Sequence, residues 1–109
     1  MPGEFVRVCG VEEIEEGGTK RFRVESPDPD RLLVRTGGEL FALTGLCPHE
    51  LADLGEGFVD RGVLWCPIHS SGFDCRTGAV THPPAEQPLE TYRVETRDGG
   101  VYVSVRPSR

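Results

Sequence analysis

Two short segments of this chain carry side chains able to hold a metal: Cys47-Pro48-His49 and Cys66-Pro67-Ile68-His69. Each offers one thiolate and one imidazole, and sixteen residues separate His49 from Cys66. The stretch between them, ELADLGEGFVDRGVLW, is long enough to run out, pair as a strand and return. Two loop tips can thus face each other across one site. A proline directly after each cysteine stiffens the loop and leaves its nitrogen without a hydrogen to place. Two chemistries suit this donor set. Zinc takes two Cys and two His in a tetrahedral site, whereas a 2Fe–2S cluster takes two Cys on one iron and two His on the other. Zinc fingers usually keep the two Cys close together and the two His close together. Here each close pair is one Cys plus one His, in the same order, so each loop can reach both metals of a two-iron cluster. The ordering favours the cluster and leaves a zinc-stabilised interaction module as the alternative from another class.

The elements that must position these loops read as short strands. A chain of 109 residues is the size of one compact domain, and its 14 Gly and 9 Pro favour strands joined by turns over long helices. Residues 4–8 alternate apolar and polar, as a half-buried strand does. The acidic run 11–16, ending at Gly17-Gly18, reads as a solvated connection, with a short turn of helix as the alternative, and residues 20–25 as a second strand stopped by Ser26-Pro27-Asp28-Pro29. Residues 31–36 and 39–44 flank Gly37-Gly38, a hairpin signal because both turn positions need positive φ. Residues 91–96 and 101–105 flank Asp98-Gly99-Gly100, with Val101, Val103 and Val105 on one strand face. Residues 45–85 differ in character, holding three of the four cysteines and all three histidines. The expected fold is all-β: a base of antiparallel sheets, sandwich- or barrel-like, from residues 1–44 and 81–109. A small cluster-binding subdomain at about 45–80 is inserted into it.

Composition excludes several function classes. A net charge of −6 repels a polyanion, so nucleic-acid binding is disfavoured. An acidic surface could instead steer the chain toward a basic partner, or simply keep it soluble. No apolar run approaches the ~20 residues needed to span a bilayer. The first ten residues, MPGEFVRVCG, lack the basic and apolar regions of a signal peptide. The expectation is a cytoplasmic protein with no membrane partner, in which cysteines beside histidines bind metal rather than form disulfides. No nucleophile–base constellation or phosphate loop is visible, so the chain reads as a carrier and not an enzyme.

At these residues the chain resembles the Rieske family, specifically the small ferredoxins that serve bacterial ring-hydroxylating oxygenases. The resemblance rests on Cys47-Pro48-His49, Cys66-Pro67-Ile68-His69, the following S-S-G-F-D (70–74), R-T-G (76–78) and P-P-A (83–85). It implies a Rieske fold and one 2Fe–2S cluster per chain, with Cys47 and Cys66 on the inner iron. His49 and His69 would bind the outer iron through Nδ1, with each Nε2 near solvent. It also implies a soluble monomeric electron carrier between a flavin-dependent reductase and a terminal oxygenase. The small Rieske subunit of an assimilatory nitrite reductase is the second reading within the family. Two neutral imidazoles in place of two thiolates lessen the repulsion met by an added electron. Such centres accordingly lie at about −150 to +300 mV, against about −400 mV for plant-type ferredoxins.

The resemblance places this chain within that range. In the Rieske subunits of cytochrome bc complexes each ligand loop carries an extra Cys, and the two form a disulfide. The matching positions here are Ala52 and Ile68. Those proteins also use a Ser and a Tyr hydroxyl to hydrogen-bond cluster sulfurs. Ser71 matches the Ser, but Phe73 stands where the Tyr would be. The expectation is a low-potential centre, lifted somewhat by Ser71. Pro83 and Pro84 match the stretch that covers one side of the cluster in similar proteins. His82 reads as a surface loop residue, Cys9 and Cys75 as small buried hydrophobes, and Trp65 and Phe73 as core packing. Glu50, Asp53, Glu56 and Asp60 stand equally as a docking rim or a solvated face.

Overall fold

The computed structural model describes residues 4–24, 30–47, 53–68 and 70–108. Among the described residues ten strands follow one another: β1 (Phe5–Gly10), β2 (Thr19–Phe22), β3 (Arg31–Thr36), β4 (Glu39–Thr44), β5 (Phe58–Asp60), β6 (Val63–Trp65), β7 (Gly72–Asp74), β8 (Val80–His82), β9 (Thr91–Arg97) and β10 (Gly100–Pro107). The helical segments among the described residues are two single 3-10 turns, Val11–Glu13 and Leu54–Glu56. The fold is all-β. Six strands form one antiparallel sheet in the order β1-β10-β9-β4-β3-β2, and four form a second in the order β5-β6-β7-β8.

Turn chemistry sets the larger sheet. Gly37 and Gly38 both have positive φ, +63° and +79°, and join β3 to β4 in the register Thr36↔Glu39 through Arg31↔Thr44. The Glu16 carboxylate accepts from both turn amides, at 2.6 Å from Gly37 N and 2.9 Å from Gly38 N, and so caps the hairpin from outside. Asp98 and Gly99 play the same part between β9 and β10. The run 11–16, read as a connection, contains the first 3-10 turn, with the Glu13 carboxylate reaching back to Gly10 N at 2.9 Å. The second strand is shorter than its sequence suggested. It ends at Phe22, and the Ser-Pro-Asp-Pro stop lies outside the described residues.

The buried residues explain how the two sheets meet. Arg31, Leu32, Leu33 and Val34 are all buried, a continuous run that marks a strand covered on both faces. Leu32 and Val34 pack with Leu43, Leu54, Leu64, Phe73 and Leu89 in a core that joins the larger sheet to the smaller one. Leu33 points the other way, into a second core with Cys9, Ile14, Ala42, Tyr92, Val101 and Val103. Arg31 is buried because its guanidinium is used. It donates to the carbonyls of Ser104 (2.8 Å) and Val105 (2.6 Å) and lies 3.7 Å from the centre of the Tyr92 ring, pinning β3 to β10.

Candidate metal centre

The smaller sheet, residues 58–82, carries the second cysteine at its end. Cys66 directly follows β6, and its N–H donates to the carbonyl of Ser71 at 2.8 Å, while Trp65 pairs with Gly72. The loop that begins at Cys66 is therefore closed at its base by backbone pairing. Cys47 stands at the same place in its own loop. Leu46 bridges to Asp53, and Leu54 N donates to Gly45 O at 2.9 Å, so the chain leaves at Cys47 and returns at Asp53. Short closed loops lose little further entropy when their tips are fixed.

Both cysteines are almost wholly enclosed, Cys47 at 0% and Cys66 at 3% exposure, and both belong to the core shared by the two sheets. None of the four cysteines forms a disulfide. Two thiols at the mouths of two pinched loops, in one dry core, fit a group that takes one sulfur donor from each loop. Thiolates bind such a group, and an apolar shell around it sets its redox properties. The expected imidazole donors His49 and His69 lie outside the described residues, as do Pro48, Glu50 and Ala52. Among the described residues no three His, Cys, Asp or Glu side chains gather as a metal site.

Residues around these loops fall into place differently. Ser71 is fully buried, and its hydroxyl oxygen accepts from Ala85 N at 3.0 Å, leaving its proton to donate. That bond ties the Pro83-Pro84-Ala85 segment to the second loop. Pro83 is exposed, Pro84 is half-buried and Ala85 is buried, so the segment runs inward from the surface. Phe73 is core, at 0% exposure. Trp65 is not in the core. The inner row of the smaller sheet is Val59, Leu64, Phe73 and Val80, and one residue along puts Trp65 on the outer row with Phe58, Gly72 and His82. The Trp65 ring stacks on Phe58, which is 59% exposed, with centroids 6.3 Å apart, and meets His82 at 4.5 Å. His82, read as a loop residue, is the last residue of β8.

Asp53, weighed as a docking or solvated residue, is occupied. It caps the second 3-10 turn by accepting from Gly55 N at 2.8 Å, and it pairs with Arg21 of β2. Arg21 also reaches Asp30 at 3.2 Å, so the end of the first loop is moored to the edge of the larger sheet. Glu56 and Asp60 are exposed. Sequence reading missed the Arg21–Asp53 pair and the Ser71–Ala85 bond, and no local pattern announces either. Cys75, at 1% exposure in the shared core, has a thiol pushed up to about 11, first by burial and then by the adjacent Asp74 carboxylate. Such a thiol is inert at neutral pH.

Comparison with known proteins decides the family. The Rieske [2Fe-2S] domain matches residues 4–93. The chain belongs to the Rieske family. It is 38% identical over 99 residues to the 3-phenylpropionate/cinnamic acid dioxygenase ferredoxin subunit of Photorhabdus laumondii, covering 90% of this chain and 91% of that relative. The anthranilate 1,2-dioxygenase ferredoxin subunit of Burkholderia cepacia is 44% identical over 71 residues, 65% of this chain and 66% of the relative. Among solved structures, the Rieske chain superposes on the Sphingomonas yanoikuyae B1 ferredoxin with a TM-score of 0.87 and 30% identity, over 94% of this chain and all of the other (100%). It also matches a chain of a complex between reduced oxygenase and oxidised ferredoxin in carbazole 1,9a-dioxygenase, with a TM-score of 0.91 and 28% identity over 96% of both chains. The antiparallel sheets expected from sequence are those of Rieske ferredoxins. No helix among the described residues is long and apolar enough to cross a membrane.

Proposed function

We propose that this chain is an electron-transfer ferredoxin that accepts single electrons from a flavin-dependent reductase and delivers them to the terminal oxygenase of a ring-hydroxylating dioxygenase system. The observation that carries this reading is the pair of buried cysteines, Cys47 and Cys66, each placed first in a loop closed at its base. Residues at about 45–80, which hold nearly all of the four-stranded sheet, act as the cluster-binding subdomain on a base formed by the six-stranded sheet. Cys47 and Cys66 would hold one iron and His49 and His69 the other. When bound, the 2Fe–2S cluster supplies a one-electron couple.

The protein's own residues serve that couple by setting its surroundings. The shared core keeps water from the two thiolates, and its low polarity strengthens every hydrogen bond aimed at them. The Ser71 hydroxyl, polarised by the Ala85 N–H, keeps its proton for a sulfur acceptor and raises the potential. Phe73 offers no second hydroxyl, so the potential stays at the low end of the Rieske range. The chain works in the cytoplasm as a monomer, and its catalysis belongs to its partners.

The reading is tested by mixing the purified protein with a reductase and an oxygenase of a dioxygenase system that lacks its own ferredoxin. NADH-dependent turnover of the aromatic substrate should depend on the added chain. The Cys47→Ser and Cys66→Ser proteins should not support it. Turnover that proceeds equally without the chain, or with either variant, would sink the proposal.

A further inference from the structure

The outer row of the smaller sheet has an unusual composition: Phe58, Trp65, Gly72 and His82 stand in register across all four strands. Gly72 contributes no side chain, and over it the rings of Trp65 and His82 come together, 4.5 Å between centroids. The gap is needed. A Cβ on Gly72 would lie 2.8 Å from Thr81 Oγ1, 2.9 Å from His82 Nδ1 and 3.2 Å from the Trp65 ring. The His82 ring is also oriented by Thr81, whose Oγ1 is 2.9 Å from its Nδ1. An exposed histidine held by a neighbour's hydroxyl and by an aromatic face across a glycine has few rotamers open to it.

What this contact holds follows from sequence order. His82 leads directly into Pro83-Pro84-Ala85, and Ala85 N donates to the buried Ser71 oxygen at 3.0 Å. The proline segment is fastened at both ends to the second loop. Outside, His82 rests on Trp65, one residue before Cys66; inside, Ala85 is bonded to Ser71, the partner of Cys66 in closing the loop.

We propose that His82 and Trp65 are positioning residues that, by meeting over Gly72, hold the Pro83–Pro84 segment in place. They thereby keep the Ala85 N–H on the Ser71 hydroxyl. This rests on the reading of Ser71 as a donor toward the cluster, and it adds the device that sets that donor's strength. An N–H donated to a hydroxyl oxygen makes the hydroxyl a better donor, because linked hydrogen bonds polarise one another. Releasing the outer fastening frees the segment, weakens the inner bond and disfavours reduction.

The test uses the cluster-loaded protein and two readouts: the midpoint potential by optical redox titration, and amide hydrogen exchange of the 83–89 peptide. In His82→Ala the reduction equilibrium should fall about threefold, which at 59 mV per tenfold is about 28 mV. Exchange at 83–89 should rise about tenfold. His82→Phe, which keeps an aromatic ring over Gly72, should restore both. Gly72→Ala, which wedges the rings apart, should shift both as His82→Ala does and stands in should that variant lose its cluster. Ser71→Ala should lower the midpoint further, and adding His82→Ala to it should give no additional shift. If Ser71→Ala lowers the potential while His82→Ala and Gly72→Ala match the wild type in both readouts, the positioning role is wrong and the reading of Ser71 stands. An unchanged midpoint in Ser71→Ala overturns both.

Discussion

Replacing Gly57 with alanine asks whether the stems of the two cysteine loops must touch at their closest approach. Gly57 ends the 3-10 turn that follows the first loop, with its N–H on Leu54 O at 3.1 Å. Its φ is −87°, outside the left-handed region that favours glycine. The cost is steric. A Cβ there would overlap the carbonyl oxygen of Trp65, with the carbonyl carbon at 3.1 Å and Pro67 Cδ at 3.3 Å. All three atoms flank Cys66. Side-chain overpacking costs about 1–3 kcal/mol because rotamers and backbone yield in part. Here the obstacle is main chain with no rotamer to change, so the penalty should reach about 3 kcal/mol or more. That is a large share of the ~5–15 kcal/mol that stabilises a domain of this size. It is relieved only by moving the first stem away from the second. Gly17→Ala is the control. Gly17 has φ +80° but open space around it, and should cost only the ~1–2 kcal/mol of a left-handed residue. Iron and acid-labile sulfide per chain, with the urea midpoint, give the answer. Gly57→Ala should be purified with most of its cluster missing, while Gly17→Ala keeps it. A Gly57→Ala protein fully loaded, and no less stable than Gly17→Ala, would refute the idea that contact between the stems holds the site together.

Phe73 is buried in the shared core with Leu64 and the two cysteines, and Phe73→Ala should cost about 3–5 kcal/mol in urea unfolding; a loss below about 1 kcal/mol would mean that the core closes over the gap. The Cys75 thiol, pushed up to about 11, keeps its proton in the folded chain where the unfolded chain releases it near the usual ~8.5. The folded pKa is raised, so this contribution is complete below about pH 8.5 and is lost as pH climbs toward 11, at up to about 1.4 kcal/mol per pH unit. Urea midpoints at pH 8 and pH 10.5 should therefore fall more steeply in the wild type than in Cys75→Ala; identical slopes would contradict it. Removing Asp53 by Asp53→Ala takes away both the cap on Gly55 N and the pair with Arg21, and should lower stability by about 0.5–2 kcal/mol, measured by thermal melting.

Much of the fold was legible where local chemistry leaves one answer. Gly37-Gly38 demanded a hairpin, and its flanking strands begin and end at the residues the pattern indicated. The terminal hairpin followed from Asp98-Gly99 and the alternating valines. The two Cys-Pro segments pointed to a shared centre, and their cysteines lie in one core. What could not be read is tertiary or too short to show a period. Strands β5 to β8 have three residues each, so neither their pairing nor their inner and outer rows are visible in sequence. Trp65 was assigned to the core for that reason, because a large aromatic beside a buried Leu64 looks internal until the register is known. The burial of Arg31 has no local signal, because its partners are carbonyls more than seventy residues away (separations of 73 and 74). Asp53 looked free for a partner because Arg21 stands 32 residues before it.

The central claim is that sulfur from Cys47 and Cys66, with imidazole from His49 and His69, encloses two bridged irons. The most direct measurement is metal and sulfide analysis of the purified protein, joined to an EPR spectrum after reduction by dithionite. The account predicts about two irons and two labile sulfides per chain, a brown colour, and a reduced signal of low average g, all lost in Cys47→Ser and Cys66→Ser. A colourless protein holding one zinc and neither iron nor sulfide would contradict it.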